Sequence, residues 1–144
     1  MKLLALLPIA LLLFGCGSGG DGDGDGNGDG GTAPAISNLN YSPTSAHVGE
    51  GGGGVAVNGT MDFIDPDGDL DFLRVLWRPC GTGGWMNEDI PVSGVSGLTS
   101  STLDIFMMVD TSCPPGLNNT IQVSAFDEAG HQSNILNAAF EILP

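Results

Sequence analysis

Glycine and turn residues interrupt every apolar stretch of this chain's main body before a helical period can run for three turns. The chain has 144 residues, and 24 of them are glycine. What survives between the breaks is alternation, the period of a strand with one buried face. Seven strands are predicted: Ala35–Tyr41, Val55–Phe63, Asp71–Arg78, Met86–Val92, Thr102–Asp110, Thr120–Asp127 and Asn134–Leu143. The second puts Val55, Val57, Met61 and Phe63 on one face, with Asn58, Thr60 and Asp62 opposite. The third turns Leu73, Val75 and Trp77 inward and Arg74 and Arg78 outward. The fifth aligns Leu103, Ile105, Met107 and Val109, with Met107 read as core filling. The last offers Leu136, Ala138, Phe140 and Ile142. Seven short strands in about 110 residues predict a two-sheet sandwich large enough to hold its own core.

The start of the chain obeys different rules. Met1-Lys2 is a short basic opening, and Leu3 to Phe14 is apolar throughout. That run is shorter than the roughly 20 residues a membrane span needs, and it has the length of a signal-peptide core. It ends in Leu13-Phe14-Gly15-Cys16, which resembles the cleavage motif of bacterial lipoproteins. The resemblance implies a signal peptide over residues 1–15 and a Cys16 that carries a thioether-linked diacylglycerol and an amide-linked acyl chain. Several acyl chains make a firm membrane anchor where one would be marginal. Gly17, not Asp, follows the cysteine, and by family analogy this directs the protein to the outer membrane of the cell envelope.

Residues 16–33 form the predicted tether. From Gly17 to Thr32 they are almost only Gly, Asp, Ser and Asn, with nothing to bury, and disorder is expected. Asp21, Asp23, Asp25 and Gly26 mimic the start of an EF-hand loop. The twelfth position, which needs a bidentate Glu, is Thr32, so a tether is the better reading. The formal net charge is -14, from 17 acids and three basic residues; loss of Lys2 with the leader takes it to -15. Such a surface repels phosphate backbones and argues against nucleic-acid binding.

Two further segments resemble the immunoglobulin-like and cadherin-like modules of bacterial surface proteins. They are Asp65-Pro66-Asp67-Gly68-Asp69 and the stretch from Ala125 to Asn134. The resemblance implies an all-β fold: a single seven-stranded immunoglobulin-like β-sandwich over residues 34–144. With Cys16 acylated, Cys80 and Cys113 remain, and an exported protein can oxidise them. Each follows a strand that runs the same way, so both are expected at one end of the sandwich as a disulfide. At the other end the loop with Asp65, Asp67, Asp69 and Asp71 should meet the loop with Asp127 and Glu128. Crowded carboxylates repel one another without a cation. Two readings stand: a soluble turn, since Asp, Pro and Gly are all turn formers, or a calcium ion as cofactor, in a looser site than an EF-hand, since neither register of the loop puts Gly at position six and Glu at twelve.

Catalysis has little to work with. His47 and His131 are the only histidines, and neither sits in a nucleophile motif. The leading reading is a non-catalytic envelope module that binds or spaces. Its partners would be the membrane through the lipid and an envelope protein or glycan. The alternatives are an accessory subunit of a larger envelope complex and, less favoured, a hydrolase.

Overall fold

The computed structural model describes residues 31–144. The predicted signal peptide, Cys16 and most of the predicted tether lie outside the described residues. Eight strands follow in order: β1 (Ala35–Ser42), β2 (Ser45–His47), β3 (Gly54–Ile64), β4 (Leu70–Arg78), β5 (Met86–Pro91), β6 (Ser100–Asp110), β7 (Asn118–Asp127) and β8 (Leu136–Leu143). They form a three-stranded sheet, β1-β3-β6, and a five-stranded sheet, β2-β8-β7-β4-β5. The fold is an all-β sandwich. The strand the sequence does not reveal is β2, three residues that run parallel to β8 through Ser45↔Glu141 to His47↔Leu143. So short a segment has no period to detect.

Alternation builds the core from both sheets. On β8, Ala138, Phe140 and Ile142 are buried while Asn137, Ala139 and Glu141 are exposed. On β3, Val57, Met61 and Phe63 face the same interior. Leu73, Val75, Leu103, Ile105, Val109, Ile121, Val123 and Ala125 belong to it as well. Burial of each large side chain contributes roughly 1.5–3 kcal/mol. Gly59 interrupts the inward row of β3 for a steric reason: a Cβ there would stand 2.3 Å from the carbonyl oxygen of Asn40 on β1.

The predicted last strand begins two residues early. Asn134 stays outside β8 because its side chain serves β1, accepting from the Ile36 N–H and donating to the Ile36 carbonyl, both at 2.9 Å. One side-chain amide there does what a strand backbone would do.

Cys80, in the turn after β4, is bonded to Cys113, which follows β6, with Cα atoms 5.4 Å apart. The bridge joins the two sheets. Buried Asn119 of β7 organises the same end. It accepts from the Cys80 N–H at 3.0 Å and donates to the Asp110 carbonyl at 2.9 Å.

Candidate metal centre

The far end of the sandwich carries carboxylates where the strand pattern calls for apolar side chains. On β3 the inward positions run Val57, Met61, Phe63, and the next of that parity is Asp65, which is fully buried. On β7 they run Ile121, Val123, Ala125 and then Asp127, 1% exposed. Both strands thus end by pointing an acid into the interior.

The loop from Asp65 to Asp69 then folds back on itself. The Gly68 N–H donates to the Asp65 carbonyl at 3.1 Å, and Gly68 has φ 72, a conformation that suits glycine. A side chain there would also collide with Gly97, since a Cβ would lie 3.1 Å from its backbone. The segment between β5 and β6 closes over the loop. The Asp65 N–H donates to the Thr99 carbonyl at 2.9 Å, and the Gly97 N–H to the Gly68 carbonyl at 2.8 Å. From the other sheet, the Glu128 N–H donates to the Asp69 carbonyl at 3.0 Å. The chain enters the domain beside this loop, where the Thr32 N–H donates to the Asp67 carboxylate.

One oxygen from each of Asp65, Asp67 and Asp69 lies within 4.8 Å of the others. Both carboxylate oxygens of Asp65 and one of Asp69 are buried without a hydrogen-bond partner. An unpaired carboxylate out of water costs several kcal/mol. Burial, and then the carboxylates of Asp65, Asp127 and Asp67, push the Asp69 carboxyl above its ordinary range, against a backbone hydrogen bond that lowers it. Those are the marks of negative charge held together without compensation. A hard cation suits them, because three carboxylates offer up to six oxygens and calcium takes six to eight.

Asp127 is compensated differently. The His131 N–H donates to one of its oxygens at 2.7 Å, and the His131 ring nitrogen Nδ1 meets the other at 2.8 Å. Burial raises its carboxyl, but the hydrogen bonds and charge of His131, with the Gly130 N–H, outweigh that and hold it below the usual range. A carboxyl depressed in the folded state stabilises fully above its unfolded value and stops doing so as pH falls through the folded one. Relative to Asp127→Asn, the unmodified chain is therefore expected to lose melting temperature more steeply as pH drops below about 4. Parallel acid slopes for the two proteins would contradict this.

Of the six acids predicted for the site, the structure brings Asp65, Asp67 and Asp69 together and sets Asp127 beside them. Asp71 is exposed on β4. The register there steps from Leu70↔Asp127 to Phe72↔Phe126, so Asp71 occupies a bulge. Glu128 contributes its backbone N–H while its side chain is exposed. Thr32, Gly97 and Thr99 belong to the surroundings of the site and carry no signal in the sequence.

No protein-family model matches the chain. No curated protein matches it. Among solved structures the chain is similar to the "PKD domain of M14-like peptidase from Thermoplasmatales archaeon SCGC AB-540-F20". The two share 16% identity over 78% of this chain and 94% of that one, with a TM-score of 0.43.

Proposed function

We propose that this protein is a non-catalytic immunoglobulin-like module of the bacterial cell envelope, tethered to the outer membrane by lipid on Cys16 and locked by calcium at Asp65, Asp67 and Asp69. The observation that carries the reading is the Asp65 carboxylate, fully buried with no partner on either oxygen. Such a group needs a cation, and calcium at millimolar levels is a feature of the space outside the cell. The Cys80–Cys113 bridge agrees with an oxidising compartment. His131 is engaged with Asp127, and His47 with the Pro144 carbonyl, which supports a structural use for both.

The anchor is tested by fractionation. Cys16→Ser is expected to abolish palmitate incorporation, leave an unprocessed precursor and move the protein out of the membrane fraction. A wild-type chain that takes up no label and is soluble would remove the tether from the reading.

A further inference from the structure

Sheet edges attract strands, because their outer N–H and C=O groups are unpaired, and proteins blunt them. Three of the four edges here are blunted. β2 has three residues. β5 has only six residues and ends in Pro91, which has no N–H to offer. β1 breaks register between Ser37 and Asn40, with Asn38 at φ 52. The fourth edge, β6, is different. Its 11 residues pair with β3 in unbroken register from Gly54↔Asp110 to Ile64↔Ser100, and it contains no Pro and no Lys.

The ladder shows which groups are presented. The Thr111 N–H bonds the Gly53 carbonyl and the Asp65 N–H bonds the Thr99 carbonyl, extending the β3–β6 pairing at both ends. Odd positions of β6 therefore bond β3. Residues 102, 104, 106 and 108 direct their N–H and C=O to the open edge. The side chains of these residues include exposed Asp104 and Phe106, the latter 50% accessible. Under the second half of the strand lies a cavity of about 40 Å³, lined by Val75, Trp77, Met107, Val109 and Ile121 among others. The Trp77 Nε1 is buried there without a partner.

Charge decides what fits. The strands of this sheet carry Asp62, Asp104 and Asp110 and no Lys or Arg. Thr102 and then Asn38 donate hydrogen bonds that hold the Asp62 carboxyl below its usual range, so it remains charged. Of the two arginines in the domain, Arg74 is occupied by Asp89 through two contacts of 2.7 Å on the other sheet. A second copy would bring like charge to like charge. We propose that the β6 edge docks a basic, extended segment of a partner protein, which adds as a fourth strand beside β6. Its cationic side chains would stand opposite Asp104 and Asp110, six residues apart, with apolar side chains opposite Phe106 and Met108. Residues of the other parity would point toward the cavity. The spacing is the same read in either direction, so it suits parallel or antiparallel addition.

The full chain in neutral detergent can be tested with a fluorescent peptide, Lys-Val-Leu-Leu-Val-Val-Lys, and a twin with Glu at both ends. Exposed ion pairs are weak, so two of them are expected to favour the lysine peptide by about tenfold. Hydrogen exchange should slow across residues 102–110 and stay unchanged on β1 and β5. Phe106→Lys, at an exposed position, should remove binding, and Asp104→Lys should erase the preference between the peptides. Equal affinity for the twins, protection on another strand, or no binding would overturn the proposal. So would protection of β6 that grows with protein concentration in the absence of peptide, which would assign the edge to a second copy.

Discussion

Replacing Cys80 and Cys113 together by alanine is expected to destabilise the domain by about 3–4 kcal/mol. The two cysteines are 33 residues apart in sequence, so their bond closes a long loop and restricts the unfolded chain. The folded state should barely change, because Asn119 holds the Cys80 turn and the end of β6 independently of the sulfurs. For a domain of about 110 residues the melting temperature should fall by roughly 12–20 °C. Thermal unfolding measured with and without reductant gives the same comparison without mutation. A reduced protein that melts within about 3 °C of the oxidised one would show that the bridge adds little, since 1 kcal/mol corresponds to at least that much.

The second large effect is a reversal of rank. In chelator, Asp65→Asn is expected to melt no lower than the unmodified chain, because a neutral amide is cheaper to bury than an unpaired carboxylate. In calcium the order should invert. A site with a dissociation constant on the order of 10⁻⁴–10⁻³ M, at about 10 mM calcium, stabilises by roughly 1.4–2.7 kcal/mol. The unmodified chain should therefore gain about 5–12 °C, and Asp65→Asn should gain none. Asp69→Asn should follow the same inversion, since burial and its acidic neighbours disfavour its charge. Magnesium serves as the control, because it keeps its waters and demands a tighter octahedron. A variant that gains as much from calcium as the parent would place the ion elsewhere.

Much of the sandwich is legible in the sequence because one face of each strand is buried. Val57, Met61 and Phe63 on β3 and Ala138, Phe140 and Ile142 on β8 show it plainly. The disulfide follows from where strands end. The acidic loop is legible as a cluster, but its geometry is not. Asp65 and Asp127 continue the inward parity of their strands by one position past the last apolar residue, and that signal was present. The bulge that turns Asp71 to solvent is a backbone event with no side-chain signature. The closing of residues 92–99 over Gly68 depends on glycine at positions 68 and 97, which composition alone reads as ordinary turns. Asn134 shows the limit from another side. Its local pattern suits a strand, and tertiary pairing with Ile36 takes it out of one.

A cation held among Asp65, Asp67 and Asp69 is detected by a calcium titration followed through backbone amide shifts. Saturable one-site shifts are expected, concentrated at residues 65–69. Smaller shifts should appear where that loop is bonded, at Thr32, Gly97, Thr99 and the turn from Asp127 to His131. Amides near the disulfide, including those of Cys80 and Asn119, should not move. Shifts that fail to saturate and spread over exposed acids such as Glu50, Asp104 and Glu141 would contradict it, because they would report calcium screening an acidic surface.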